Sequence, residues 1–447
     1  MGVPSNLFQH SANPEEAENF FANFRKAFRQ NHQKEFVPDE TNLSFLKIFG
    51  NSKFLCRFAI NNTWVYEQYL GSKFKGTEKP LEQFTSEIKT IVTNEAQPDS
   101  TLKKYKYQEF LRLTLKELSG MDQATTYREL SHLAAALVAH SVKKHHAELS
   151  HKHGISAGST GEYAIIALGK LGGQELNYSS DIDIIGLYDE DPTLSDLSRH
   201  QFYSQLFAQT GQHLSHVDKD GFFFRVDWDL RPEGKTGVLA NSLGAMERYY
   251  QTFGQEWERQ AFIKAHVLLQ TRNLGDRFLV MLAPFVFRRS FDSKTIHNIW
   301  NMKTLIEQDR KNNNPEGINI KLDEGGIRDI EFFVQGFQLL HGGKSTELRT
   351  TNTAEALLRL SQHQLITTQI KNVLTQNYFF LRRLESCLQM DNEQQTHVLK
   401  NDPRHKLAVA RRLGFTHPEK EALSILEERL FNVMSATKRI FHEHYDR

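Results

Sequence analysis

The sequence predicts an α+β fold, in which a small sheet is embedded in a mostly helical chain. Two apolar runs, at residues 163–168 and 184–188, are each long enough for a strand, and a glycine-rich polar stretch separates them. Outside this section apolar residues recur at the spacing of one helix face, as at residues 130–138. The chain therefore combines one section of strand character with helical regions on both sides.

Two aspartates, Asp181 and Asp183, stand at the start of the second predicted strand. Alternate residues of a strand face the same side, so both carboxylates can point at one place while Ile182 and Ile184 point into the core. Like charges this close raise each other's pKa and repel unless a cation lies between them. Because Mg²⁺ is commonly shared between one or two acidic side chains and a substrate phosphate, the pair predicts a Mg²⁺ site.

The stretch before the aspartates predicts a phosphate-binding loop. Gly169, Gly172 and Gly173 lack Cβ atoms, so backbone N–H groups can approach an anion closely. Lys170 and the hydroxyl of Ser180 are placed to add contacts. The loop lacks the Walker A spacing, and a strand rather than a helix follows it, so the sequence does not predict a P-loop ATPase.

A second acidic pair follows a predicted helix near residues 197–217. The run at residues 222–229 is rich in β-forming residues and predicts a third strand with Asp227 and Asp229 on one face. An isolated Asp-x-Asp more often marks a solvated turn. Up to four carboxylates in one place would cost stability without a metal or basic partners, so we predict a metal-dependent catalytic site.

These motifs resemble the nucleotidyltransferase superfamily and, more narrowly, the glutamine-synthetase adenylyltransferase family. The matching segments follow the family order from about residue 105 onward. They are GKLGGQELNYSSDIDII from Gly169, FRVDWDLRPEGKTGVL from Phe224, YYQTFGQEWERQAFIKAHVL from Tyr249, FVFRRSFD from Phe285, INIKLDEGGIRDIEFFVQGFQLLHGGK from Ile318 and FLRRLESCLQ from Phe380. The resemblance implies a nucleotidyltransferase-type mixed sheet with helices, followed by a C-terminal helical bundle.

The resemblance also implies an activity. Members of the family carry two nucleotidyltransferase units in tandem, whereas this sequence contains one Gly-Gly and Asp-x-Asp set. FVFRRSFD with the following Asn301-Met302-Lys303, and NYSSDIDII, are similar to the amino-terminal half, which is the deadenylylase. That half removes AMP from a tyrosine of glutamine synthetase, using inorganic phosphate and releasing ADP. The implied partners are glutamine synthetase, a PII signalling protein, ADP or ATP, and phosphate, with Mg²⁺ as cofactor.

Two alternatives stay open. The first is the reverse activity, ATP-dependent adenylylation of the same tyrosine, because the fold and metals would be the same. The second is a non-catalytic module that recognises glutamine synthetase or a PII protein.

Roles follow from the resemblance residue by residue. Asp181, Asp183 and Asp227 would be the catalytic metal ligands, with Asp227 bridging a metal or accepting a proton. Arg231, Lys264 and Arg328 would clamp phosphate; a surface ion pair is the alternative for each. The neighbouring residues implied at the site are Asp229, Glu258, Arg259, Asp329 and Glu331.

Two further segments of the sequence bear on the predicted site. Gly325 and Gly326 precede a helix-patterned run, which predicts a loop-to-helix entry whose N-terminus favours anions, and the resemblance places it beside the nucleotide. The family usually reads Val-Asp-x-Arg-Leu-Arg-Pro, but Asp229 stands at the first arginine. Either Asp229 binds a metal itself, or the site has lost a phosphate contact.

Composition excludes some classes of function. The 55 basic and 54 acidic residues nearly cancel, so the sequence predicts neither a nucleic-acid nor a membrane partner. No apolar run reaches transmembrane length. Cys56 and Cys387 suggest neither a disulfide framework nor a zinc site, which predicts a reducing cytoplasm.

We predict four regions along the chain. Residues 1–95 form a mostly helical N-terminal region, and residues 96–158 form a helical lead-in. Residues 159–275 form the catalytic domain, and residues 276–447 form a helical bundle that contributes site residues near 325–335.

Overall fold

The computed structural model describes residues 8–40, 42–70, 78–156, 159–190, 193–194, 197–289 and 316–445. The described part of the N-terminal third is helical. Its helices are Pro14–His32, Leu43–Leu46, Lys53–Asn61, Trp64–Leu70, Leu81–Asn94, Pro98–Glu117 and Gln123–Lys152. The helical pattern predicted at residues 130–138 is confirmed, because Leu130, Leu133 and Leu137 are all buried on the last of these helices.

The strands follow in the middle of the chain. They are β1 (Tyr163–Ala167), β2 (Ile182–Tyr188), β3 (Thr193–Leu194), β4 (Leu197–Ser198), β5 (Val226–Asp227), β6 (Ala240–Ser242) and β7 (His266–Gln270). The main sheet has the order β5-β2-β1-β7, and β6 also pairs with β2. β1 is antiparallel to β2 and β7, whereas β5 and β6 are parallel to β2. The predicted α+β fold with a mixed sheet is confirmed.

Both faces of the sheet are covered by helices. Alternation along β1 and β2 sends one set of side chains, including Ile165 and Ile184, toward the N-terminal helices. The other set, including Ile166 and Ile185, packs against later helices. The helices around the sheet are Gly169–Gly172, Arg199–Ser215, Leu243–Thr252, Glu256–Phe262 and Leu274–Val286. Asp183 is the only charged residue in β2, so the strand carries it to the end of an apolar layer.

The third predicted strand is much shorter than the sequence suggests. Only Val226–Asp227 pairs with β2. The carboxylate of Asp227 accepts a hydrogen bond from the backbone N–H of Asp229 at 2.7 Å, and the chain turns there. The prediction that Asp229 shares a strand face with Asp227 is therefore wrong, because a local side-chain contact ends the strand.

The C-terminal part is a helical bundle with its own apolar core, as predicted. Its helices are Ile327–His341, Thr353–Gln362, Thr368–Gln389, Pro403–Arg412 and Glu419–Tyr445, and the strands β8 (Gly317–Asn319) and β9 (Val398–Lys400) pair beside them. Within the described ranges, no helix is both long enough and apolar enough to cross a membrane. The predicted segment around residues 301–303 lies outside the described residues.

The N-terminal helices share a core with the sheet. Phe24, Phe28 and Phe49 belong to the same buried apolar cluster as Ile165 and Ile184. The boundaries at residues 95, 158 and 275 stay predictions, but this core is continuous across the first two. The first helices therefore belong to the same apolar core as the sheet, and the helix Gln123–Lys152 contacts the strand β7.

Glu117 is a buried carboxyl that makes stability depend on pH. It accepts a hydrogen bond from the Tyr178 hydroxyl at 2.9 Å, and burial raises its pKa from 4.5 to about 7. The folded state therefore retains a proton that the unfolded state releases, so stability present below about pH 4.5 is lost as the pH rises through about 7. We expect Glu117→Gln to raise the free energy of unfolding by about 2–3 kcal/mol at pH 8 and to change it little at pH 4.

Urea unfolding at the two pH values measures this difference. Glu18→Gln is the matched control, since Glu18 is exposed on the first helix, and it should change stability by less than about 0.5 kcal/mol at both. A Glu117→Gln protein no more stable than wild type at pH 8 would contradict the prediction.

Candidate functional site

The central carboxylates meet where β2 and β5 run side by side. The parallel register pairs Asp183 with Asp227. Burial, followed by the charges of Asp227 and Asp181, raises the pKa of Asp183 to about 6, although Lys321 and Lys170 act in the opposite direction. A raised carboxyl pKa in such a pair indicates a place where a cation would be stabilised.

Asp181 lies just before β2 and has other partners. Its Oδ1 accepts from Nε of Arg225 at 2.6 Å, and its Oδ2 accepts from Nε2 of Gln395 at 3.0 Å. Among the described residues, no group of three or more His, Cys, Asp or Glu side chains is arranged to hold a metal ion. The donor set that fits Mg²⁺ is therefore the pair Asp183 and Asp227, because this ion commonly takes one or two carboxylates together with water and substrate phosphate.

The predicted glycine loop contains one helical turn, Gly169–Gly172. The N–H of Gly172 donates to the Leu168 carbonyl at 2.8 Å, and the N–H of Gly173 donates to the Gly169 carbonyl at 3.1 Å. The sequence predicted that these two N–H groups would face an anion. This prediction is wrong for both, because each donates to a carbonyl within the turn. The glycines matter instead for close packing: a Cβ on Gly172 would overlap the carbonyl oxygen of Lys264.

Gly169 is the position where a side chain would disturb the site most directly. Its φ is +51°, and an added Cβ would overlap Oδ2 of Asp183. Gly154 offers a matched control, because its φ is +62° and no described atom lies within 4 Å of an added Cβ. We expect Gly169→Ala to lower the free energy of unfolding by about 1–3 kcal/mol more than Gly154→Ala does. Urea unfolding of both variants measures the difference, and equal losses would show that only backbone strain matters.

A cleft of about 500 Å³ opens beside Asp183. The predicted residues that line it are Gly169, Lys170, Ser180, Asp181, Asp183, Lys264, Arg328 and Glu331. The structure adds Leu230, Trp257, Gln260, Ala261, Lys321, Phe332, Gln335 and Gln395 to its lining. The cleft thus joins the end of the sheet to the first turns of the helix Ile327–His341.

Cationic groups line the cleft on several sides. Nζ of Lys264 lies 2.6 Å from Glu175 and 2.9 Å from Glu331. Burial lowers the pKa of Lys264, but the two carboxylates outweigh burial and hold it above the ordinary value. Arg328 and Lys321 also line the cleft. Lys264 is therefore fixed by its carboxylate partners, while Arg328 and Lys321 present further positive charge to the same space.

Arg231 and Asp229 lie away from the cleft lining. The guanidinium of Arg231 donates to the carbonyls of Gly237, Trp228 and Lys235 at 2.9, 3.0 and 2.9 Å. Asp229 lies 3.8 Å from Nη1 of Arg231 and 3.5 Å from Nζ of Lys235. Both residues shape the turn after β5, and the structure does not bring the Arg231 guanidinium to the cleft.

Three other predicted neighbours support nearby helices. Glu258 accepts from the N–H of Gln255 at 2.7 Å, which caps the helix Glu256–Phe262. Arg259 pairs with Glu256 at 3.2 Å. Asp329 accepts from the N–H of Gly325 at 2.7 Å and so fixes the entry to the helix Ile327–His341. None of the three lines the cleft, so they position its walls.

Glu385 connects the bundle to the loop before Asp181, and the sequence had not singled it out. This fully buried carboxylate lies 2.7 Å from Nζ of Lys170 and 2.6 Å from Nδ2 of Asn177. It also lies 3.0 Å from Nε of Arg382 and 2.8 Å from Nδ1 of His397. Burial lowers the pKa of Lys170 to about 8, against the opposing effect of Glu385. The only sequence signal was the position of Glu385 within FLRRLESCLQ.

Two family models match successive parts of the chain. The family model of glutamate-ammonia ligase adenylyltransferase matches residues 43–281, which is more than half of the chain. The chain belongs to this family. The matched range contains the sheet with Asp183 and Asp227, so the resemblance predicted from the sequence is confirmed. A second model, GlnD PII-uridylyltransferase, matches residues 300–444 and includes the described helices of the bundle.

Three curated relatives, each named bifunctional glutamine synthetase adenylyltransferase/adenylyl-removing enzyme, illustrate the similarity. The protein from Nitrosococcus oceani is 32% identical over 444 residues, covering 95% of this chain and 45% of the relative. The Shewanella loihica protein is 34% identical over 84% of this chain and 40% of its own length. The Burkholderia mallei protein is 36% identical over 70% of this chain and 36% of its own length. The chain thus spans less than half the length of these family members.

Proposed function

We propose that this chain removes AMP from a tyrosine of glutamine synthetase by Mg²⁺-dependent phosphorolysis, releasing ADP. The observation that carries the proposal is the pairing of Asp183 with Asp227 beside a cleft lined by Lys321 and Arg328. The printed name of the relatives, which includes adenylyl removal, supports the reaction class. The similarity of the bundle to a PII-uridylyltransferase supports a PII signalling protein as a regulatory partner.

Asp183 and Asp227 would hold Mg²⁺, with Asp181 joining them if it exchanges its contacts with Arg225 and Gln395. The ion would neutralise charge that develops at the phosphorus of the adenylyl group as it passes from the tyrosine oxygen to inorganic phosphate. Arg328 and Lys321, which line the same cleft as Asp183, would bind phosphate oxygens. Phosphate is already a nucleophile at neutral pH, so positioning and charge neutralisation matter more here than a strong base.

The roles of the remaining predicted residues follow their contacts. Lys264 would position Glu331 rather than bind phosphate, since its charge is already balanced by the carboxylates of Glu175 and Glu331. Lys170 and Ser180 line the cleft, and we retain them as phosphate or nucleotide contacts. We place the reaction in the cytoplasm, in agreement with free thiols at Cys56 and Cys387.

The test is ADP release from AMP-tyrosyl glutamine synthetase with phosphate and Mg²⁺, run for wild type beside Asp183→Asn. ADP that appears only with phosphate and only with intact Asp183 would establish the reaction. Release of pyrophosphate when the chain is incubated with ATP and unmodified glutamine synthetase would instead establish adenylylation. The printed name of the relatives includes that activity as well.

A non-catalytic binding role is the remaining candidate, and Asp229 is the residue that favours it. Asp229 stands where the family usually has an arginine, and here it pairs with Lys235 at 3.5 Å. If the wild type catalysed neither removal nor addition of AMP while Asp229→Arg catalysed one of them, the result would support a binding module that has lost turnover. Equal activity of wild type and Asp229→Arg would remove this candidate.

A further inference from the structure

We infer that the cleft contains an adenine-recognition subsite formed by Trp257, Gln260, Phe332 and Gln335. The inference rests on the proposed function for the presence of a nucleotide, and it adds the residues that choose the base. All four side chains line the cleft. None of them is needed to explain the carboxylate site or its phosphate-binding cations.

The four residues come from two helices that meet through one hydrogen bond. Nε2 of Gln260, on Glu256–Phe262, donates to Oε1 of Gln335, on Ile327–His341, at 2.7 Å. Each glutamine follows an aromatic residue by three positions, so each helix presents a ring and an amide on the same face. The two amides thus join the helices, and one ring stands a turn before each amide.

The amide pair leaves one acceptor and one donor for a ligand. Gln260 Oε1 and Gln335 Nε2 have no hydrogen-bond partner within the described ranges, although the two residues are only 6% and 8% exposed. Among the described residues, neither atom belongs to the fully buried side-chain atoms that lack a partner, so both are open to the cleft, where a polar ligand can take the place of water. Adenine carries an amino donor beside a ring-nitrogen acceptor, and glutamine side chains are suited to this pattern.

The aromatic residues supply the second part of base recognition. Trp257 and Phe332 are half-buried on the wall of the cleft. Nucleobases stack on such rings regardless of base identity, so the rings add affinity while the amides add selectivity. This division of labour predicts different effects from changing a ring and from changing an amide.

The order of residues along one helix gives the ligand a direction. Arg328, Phe332 and Gln335 lie at successive turns of Ile327–His341, and the Arg328 guanidinium carbon is 6.0 Å from the Phe332 ring centre. Seven residues of helix span about 10 Å, comparable with the length of a nucleoside monophosphate. The phosphate end would therefore lie at Arg328, and the base would lie at Gln335.

The test measures binding of ADP and GDP in the presence of Mg²⁺ by titration calorimetry, with the whole chain. We expect wild type to bind ADP about tenfold or more tightly than GDP. After Gln335→Glu, the two free acceptors beside the base are the second carboxylate oxygen of residue 335 and Oε1 of Gln260. The carboxylate oxygen would oppose the ring-nitrogen acceptor of adenine. Together the two oxygens match the N1–H and amino donors of guanine. The ratio of the two affinities should therefore shift toward GDP by about tenfold or more, and the added charge should cancel in the ratio.

Three further variants complete the experiment. Gln369→Glu, on an exposed position of another helix, should leave the ratio unchanged. Trp257→Ala should weaken both nucleotides to a similar extent. Gln260→Leu should reduce the preference for ADP, and it provides an independent test if Gln335→Glu fails to fold.

The outcomes separate this inference from the proposed reaction. Equal wild-type affinity for ADP and GDP, no binding of either, or an unchanged ratio in folded Gln335→Glu would overturn the subsite. Preference for ADP with no turnover of AMP-tyrosyl glutamine synthetase would keep the subsite and reject the reaction. Turnover of AMP-tyrosyl glutamine synthetase without a preference for ADP over GDP would support the reaction and reject the subsite.

Discussion

Replacement of Asp183 by asparagine should abolish turnover while leaving the fold intact. Asp183 is paired with Asp227 across two parallel strands, and burial and the neighbouring carboxylates raise its pKa. Loss of its charge removes a Mg²⁺ ligand, so we expect ADP release to fall by about 10³-fold or more. The same change removes like-charge repulsion, so the metal-free protein should be equally stable or up to about 2 kcal/mol more stable.

Two measurements on one preparation check both parts of this prediction. ADP release gives the turnover, and urea unfolding in EDTA gives the stability without metal. Asp276→Asn is the control, because Asp276 is exposed and asparagine can still accept the hydrogen bond from Gln270. A stable, fully active Asp183→Asn protein would contradict the proposal that Asp183 binds a catalytic metal ion. An unfolded one would show that the carboxylate serves structure instead.

Replacement of Glu385 by alanine should be the most destabilising single change considered. It would leave the partly buried Lys170 and the fully buried Arg382 without the carboxylate that they share. Removing one member of a buried ion pair commonly costs about 3–5 kcal/mol, because an uncompensated charge remains. The side chain of Asn177 would lose its acceptor as well. We therefore expect a loss of about 3–5 kcal/mol in the free energy of unfolding.

Urea unfolding of Glu385→Ala beside Glu428→Ala tests this expectation. Glu428 is an exposed glutamate on the last helix, and its replacement should cost less than about 0.5 kcal/mol. Glu385→Gln should lie between the two, since an amide can accept a hydrogen bond but carries no charge. A loss below about 1 kcal/mol for Glu385→Ala would mean that water or another side chain replaces the carboxylate.

Local features of the site could be predicted from the sequence. The alternation of apolar and acidic residues around Asp183 depends on neighbours along one strand, and β2 has the predicted character. The buried positions at Leu130 and Leu137 likewise follow from the period of one helix. Such patterns can be predicted from the sequence because the residues that determine them are close along the chain.

Features that depend on distant contacts could not be predicted in this way. The run of β-forming residues before Asp227 forms little strand, because N–H groups of Phe223 and Phe224 donate to the carbonyl of Leu214 instead of a sheet partner. Arg231 has the charge of a phosphate clamp, but backbone carbonyls of its own turn take its donors. Tertiary contacts therefore override intrinsic preference at these positions.

The walls of the cleft also depend on contacts between residues that are distant in sequence. The hydrogen bond between Gln260 and Gln335 joins residues 75 positions apart, and neither residue belongs to a recognisable catalytic pattern. Trp257 lies on the helix Glu256–Phe262, and its position along that helix gives no sign of the cleft. Only the meeting of two helices gives these side chains a shared cleft, and no periodicity within either segment reports that meeting.

The contact between Lys170 and Glu385 also bears on how the protein is made. The two residues are 215 positions apart, so at a synthesis rate of about 5–20 residues per second roughly 10–40 s separate their appearance. During that interval the segment with Lys170 and Asn177 lacks the carboxylate that holds it in the finished protein. The nascent chain should therefore present this segment to chaperones on the ribosome until the bundle helix that carries Glu385 has emerged.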